Sequence, residues 1–141
     1  MPSFFFYLFL FLFVTFTSRA NPRNSNRFSV ERLDYKVSLK KYNPEIVIVS
    51  WMSKDLDMTP DFRAKQGVQE YILIGEVDYG ACGSLETWGT NIQGAPRWEE
   101  EGFGRLDLED LSALQIARTD SPYVRFHSKT VSFRRVEAKK T

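Results

Sequence analysis

One cysteine and one histidine among 141 residues remove several functional classes at the outset. Cys82 has no partner in the chain, so no intrachain disulfide forms. Small secreted domains with thin cores usually lean on such bridges. A structural zinc set takes four ligands, mostly Cys and His, which Cys82 and His127 cannot supply between them. There is no Asn-x-Ser/Thr acceptor, no Walker loop, no dinucleotide fingerprint and no triad signature. The sequence implies no cofactor and no metal. Charge of one sign is lacking too, with 19 basic against 18 acidic side chains. A balanced chain gives no electrostatic reason to expect nucleic acid or an acidic polymer as partner.

What is abundant is phenylalanine at one end. Seven of the twelve lie in the first sixteen residues, and residues 4–17 carry no charge. A helix apolar on every face wants lipid or the translocation machinery rather than water. The run is shorter than the roughly 20 residues a spanning helix needs, and Ser18-Arg19-Ala20 presents small residues where a signal peptidase reads. Residues 1–20 are therefore expected to be a signal peptide, which predicts the secretory route, as a secreted or cell-envelope protein. No Lys or Arg precedes the run, and Arg19, Arg23 and Arg27 follow it. That order favours the alternative, an uncleaved anchor making membrane contact through residues 4–17.

Residues 21–26, Asn-Pro-Arg-Asn-Ser-Asn, read as a polar linker. Residues 27–141 are expected to be a single β-rich globular domain. Phe28 and Val30 alternate with polar residues, and Leu33, Tyr35, Val37 and Leu39 alternate in the other phase, which predicts strands. The continuous run of residues 46–49 predicts a central strand covered on both faces. Thr59-Pro60-Asp61 opens a short helix that Gly67 stops. Residues 69–74 form a second apolar strand continuing to Val77. Residues 85–90 suggest a strand, 91–105 a long irregular connection, and 107–118 a helix. Two last strands fall at 123–127 and 130–136, joined by Ser128-Lys129. The expected class is α+β, mostly β, with a five- or six-stranded antiparallel or mixed sheet and one or two short helices.

Three groups of residues invite a functional reading. Cys82 sits in Gly80-Ala81-Cys82-Gly83-Ser84, where flanking glycines permit close approach of a ligand and a loop thiol is reactive if its pKa falls. The papain-like active-site segment is not matched, because its nucleophile position is Leu85. A Cys82–His127 nucleophile–base pair requires the two to meet in space. Asp55 and Asp57 flank Leu56 and face one side of an extended loop, whereas Glu99-Glu100-Glu101 lacks calcium-loop spacing. Trp88 and Trp98 lie in the glycine-punctuated middle, where rigid aromatics commonly make binding surfaces.

One stretch carries a resemblance. Pro44-Glu45-Ile46-Val47-Ile48-Val49-Ser50, followed by Gly67-Val68-Gln69-Glu70-Tyr71-Ile72-Leu73-Ile74, resembles the strand–helix–strand core of restriction-endonuclease-like nucleases over about thirty residues. The resemblance implies that Glu45 stands for one metal-holding acid. Val49 occupies the place of the second, so it implies at best an inactive relative.

These readings lead to a non-enzymatic binding module for a protein, peptide or carbohydrate ligand, with 80–105 as its contact region and Trp88 and Trp98 as ligand-binding residues. The alternatives are a small hydrolase using loop carboxylates or Cys82 as a reactive thiol, and a membrane-anchored assembly subunit.

Overall fold

The structure, a computed structural model, describes residues 31–77, 81–90, 93–115 and 128–136. They form an α+β fold with a four-stranded mixed sheet. Five short helices accompany it, more than the one or two expected. The chain order is α1 (Tyr35–Tyr42), β1 (Ile46–Ser50), α2 (Thr59–Ala64), β2 (Glu70–Glu76), α3 (Leu85–Trp88), α4 (Arg97–Glu100), β3 (Phe103–Asp107), α5 (Glu109–Ala113) and β4 (Ser128–Arg135).

The first correction is α1, where alternation predicted a strand. Positions 35 and 39, read as period two, also share one face of a helix at i and i+4. The caps decide between the two. Asp34 accepts from the backbone N–H of Lys36 at 2.9 Å, and Asn43 closes the helix at φ 43°. Val37, which a strand would bury alongside Leu39, is 52% exposed. The expected strand at 28–30 lies outside the described residues.

The second correction concerns residues 46–49. They form β1, but the sheet order β1-β2-β4-β3 puts β1 at an edge. Val47 and Val49 face the core while Ile46 stays 40% exposed and Ile48 half-buried, so among the described residues the strand is fully covered on one face only. A β-branched run reports strand propensity without reporting its place in the sheet.

Between β1 and β2 the chain crosses over through α2, and the two strands run parallel, Val47 beside Tyr71 and Val49 beside Leu73. This helix was legible. Asp57 accepts from both the N–H and the hydroxyl of Thr59, at 3.0 and 2.7 Å, and Pro60 takes a first-turn place whose missing N–H costs nothing. Its far end is closed from a distance. Arg135 donates to the carbonyls of Arg63, Lys65 and Val68, with its guanidinium 4.6 Å from the Phe103 ring centroid.

The core lies on the face shared by Val47, Val49, Tyr71, Leu73, Val131 and Phe133. Tyr71 is its hub. Its ring stacks on Phe133 at 4.8 Å and meets Phe103 at 5.4 Å and Phe62 of α2 at 5.9 Å. Burying an aromatic of this size contributes roughly 1.5–3 kcal/mol.

Three further expectations change. Residues 85–90 hold helix α3 rather than a strand, because Ser84 and Thr87 close a capping box and Gly89 ends the turn at φ 70°. Residues 91–105 are not one irregular connection, since α4 and most of β3 fall within them. Ser128 and Lys129 belong to β4 instead of forming a turn. The helix expected over 107–118 appears as the shorter α5, and its residues from 116 lie outside the described set. So do residues 123–127, where a further strand was expected, and with them His127. No described helix is long and apolar enough to cross a membrane.

Candidate functional site

Parallel strands deliver their loops to the same end. The segments leaving β1 and β2 therefore meet beyond Ser50 and Glu76. In open sheets this carboxyl end is where ligands most often sit. An isolated parallel bridge joins Lys54 to Gly83. Asp55 N–H donates to the Gly83 carbonyl at 2.9 Å, and Cys82 N–H donates to the Glu76 carbonyl at 3.2 Å. The Glu76 side chain also accepts from Ala81 N–H at 3.1 Å.

Two non-glycine residues in the first of these loops take left-handed backbone, Trp51 at φ 55° and Asp55 at φ 62°. Asp tolerates that region, whereas a bulky aromatic there is an outlier that neighbouring contacts must impose. Trp51 N–H is fixed to the Ile74 carbonyl at 2.7 Å, which leaves its side chain 45% exposed.

Between the loops and α3 lies a cleft of about 220 Å³. Cys82 and Trp88 form its inner part, Leu85 and Ser84 one wall, and Lys54 and Asp55 the rim. The Trp88 indole N–H donates to the Cys82 carbonyl at 2.7 Å, which locks the floor. Arg105 secures the end of α3 by donating to the Trp88 carbonyl at 2.8 Å. Ser84 is engaged with Thr87. The two rim side chains differ: among the described residues, neither Lys54 nor Asp55 has an ion pair or side-chain hydrogen bond.

The thiol is placed for packing. Cys82 is 4% exposed, and burial pushes its pKa up from the ordinary value against a hydrogen bond from the Glu76 backbone. A neutral, covered sulfur is a poor nucleophile. Its position depends on Gly75, where an added Cβ would lie 2.6 Å from the Cys82 Sγ.

The aromatic pair does not form one surface. Trp88 is 2% exposed inside the cleft. Trp98 packs edge-on to Phe133 at 5.5 Å, with its indole nitrogen buried over Gly89 and without a partner. The carboxylates also divide. Asp57 caps α2 and Asp55 borders the cleft, while Glu101 forms an ion pair with Arg63. Strand–helix–strand order is present as β1–α2–β2, yet Val49 points into the core and Glu45 is exposed. Among the described residues no three of His, Cys, Asp and Glu converge as a metal would require.

Sequence reasoning singled out Cys82, Trp88 and Asp55 but missed Lys54, Leu85 and Gly75. The available signal was Gly75 itself, a glycine interrupting an apolar strand, which marks a close approach by another part of the chain. No protein-family model, no curated protein and no solved structure matches this chain.

Proposed function

We propose that this protein is a non-enzymatic binding module whose ligand occupies the cleft beyond β1 and β2, and that residues 1–20 direct it to the secretory route or hold it at a membrane. The observation that carries the binding reading is the pairing of a neutral, buried thiol with a cation and an anion at the rim, Lys54 and Asp55, whose side chains pair with no described residue. A nucleophilic enzyme wants its thiol ionised and accessible. A binding site wants charges left available to a ligand and a floor already fixed by internal hydrogen bonds.

The cleft favours a small ligand. Its volume falls below the roughly 300–1,000 Å³ of drug-sized sites. Carbohydrate recognition relies on an exposed aromatic face, and Trp88 offers almost none.

Backbone amide NMR of the full chain tests the reading against a panel of amino acids, short peptides and oligosaccharides. Binding shifts the amides of Lys54, Asp55 and residues 82–85, survives Cys82→Ser, and disappears in Leu85→Arg, where a long cation fills the opening. Hydrolysis of ester or peptide substrates that Cys82→Ser abolishes would overturn it. N-terminal sequencing of protein from its native cell tests the leader: a start at Asn21 establishes export, and an intact leader in the membrane fraction establishes the anchor.

A further inference from the structure

We infer that the free edge of β1 pairs with β1 of a second copy of this chain, antiparallel and centred on Ile48, so that two four-stranded sheets join into one. The contact lies along the strand, apart from the cleft, and does not rest on the binding reading. Its ground is the backbone. The Trp51 N–H donates to the Ile74 carbonyl and the Glu45 carbonyl accepts from Glu70, so the main chain turns inward onto β2 at both ends of β1. Main-chain groups alternate in direction along a strand. Val47 and Val49 therefore bond within the sheet, while Ile46, Ile48 and Ser50 turn their N–H and C=O groups outward. No described residue bonds to those outward groups.

The two edges of the described sheet differ in a way that selects β1. Proteins guard exposed edges with charge, proline or a covering element. β3 carries Arg105 and Asp107, and Arg105 also ties it to α3 through the Trp88 carbonyl. β1 reads Ile-Val-Ile-Val-Ser, without charge or proline. Register then selects the partner. An antiparallel copy centred on Ile48 sets that residue opposite its own counterpart and Ile46 opposite Ser50 of the partner subunit, so every outward N–H meets an outward C=O. A one-residue shift would set outward groups against inward ones, and a two-residue shift would leave one end of each strand unpaired. The same register brings the Ile46 end of each strand beside the Trp51 end of the other, the two ends where large apolar side chains stay 40% and 45% exposed. The strand is thus its own complement, which an unrelated peptide is not. Five residues a side make a small contact, so the dimer is weak, dissociating at on the order of 10 µM.

The test is sedimentation velocity of the full chain in detergent, beside Ile48→Lys and Ile48→Glu, with folding checked by circular dichroism. Association through the apolar segment 4–17 is insensitive to residue 48 and is separated in this way. The unaltered chain is expected to dimerise reversibly. Each variant sets like charges opposite each other on the two-fold axis and is expected to weaken the dimer at least about tenfold. An equal mixture of the two is expected to recover it as a heterodimer, because Lys then faces Glu. A chain still monomeric at about 0.1 mM would overturn the proposal. So would a dimer that both variants leave intact, or a mixture no tighter than either variant alone. A second reading needs no variant. Amide hydrogen exchange at Ile46, Ile48 and Ser50 is expected to slow as protein concentration rises, while exchange at Val47 and Val49 stays unchanged. Exchange at the first three that ignores concentration would overturn the pairing whatever the variants show.

Discussion

Replacing Gly75 with alanine tests whether the cleft floor is built as described. The new Cβ would lie 2.6 Å from Cys82 Sγ and 3.3 Å from Cys82 Cβ. Favourable non-bonded contacts sit at about 3.5–4.0 Å, so the sulfur must move by about an ångström. Cys82 has a short side chain, is 4% exposed, and is held by its N–H to the Glu76 carbonyl, so it cannot swing away at little cost. Overpacking of this kind costs about 1–3 kcal/mol. The backbone at φ 152° adds a comparable penalty for a residue with a side chain. We expect a loss of about 3 kcal/mol in urea unfolding followed by tryptophan fluorescence, equivalent to a Tm lower by roughly 10–13 °C for a domain of this size. The decisive arm is the cycle with Cys82→Ala. Removing the sulfur relieves the closest contact, so the Gly75→Ala penalty in that background should fall by about 1–2 kcal/mol. Additivity within about 0.5 kcal/mol would show that the sulfur does not rest on Gly75, and the description of the floor would fail.

Tyr71 has a buried hydroxyl beside the Arg63 guanidinium, too loosely placed for a well-formed hydrogen bond, and burial, against the pull of Arg63, pushes its pKa up to about 12. A hydroxyl with only this loose contact gains little against its desolvation, so Tyr71→Phe is expected to change stability by no more than about 1 kcal/mol in thermal unfolding; a loss larger than that would show that the Arg63 contact holds the core. Cys82 should resist iodoacetamide at neutral pH in the folded protein and react once denatured, which mass spectrometry reads directly. Asp107 supplies a pH dependence. Partial burial raises its pKa, but hydrogen bonds from Arg105 and Lys129 outweigh this and hold it below the ordinary carboxylate value. The stabilisation is therefore complete above the unfolded pKa near 4 and is lost as pH falls through the lower folded value. Asp107→Asn should flatten the acid limb of stability between about pH 5 and pH 2, measured by urea midpoints, and an unchanged limb would refute that role.

Much of the fold could be read along the chain, because some signals are local. Asp57, Thr59 and Pro60 specify the start of α2 within four residues, and the apolar run from Tyr71 to Ile74 specifies β2 by β-propensity and burial alone. Where two periods agree over a short window, local signals failed. Tyr35 and Leu39 satisfy both a strand and a helix, and only the caps at Asp34 and Asn43 separate them. Between glycines the reading also failed: residues 85–90 suggested a strand, while Gly83 and Gly89 in fact bracket a capped turn of helix.

By itself, the sequence determined the hydrophobic segment 4–17, the impossibility of an intrachain disulfide, the α+β class and the prominence of Cys82 and Trp88, all properties carried by composition or by neighbours in the chain. Only the tertiary structure decided that β1 is an edge strand of the described sheet, that Trp98 packs on the core while Trp88 lines the cleft, and that Lys54, Asp55 and Leu85 line it too. The physical reason is separation along the chain. Lys54 meets Gly83 because parallel strands bring their following loops to one end, and no local pattern at either residue encodes that encounter.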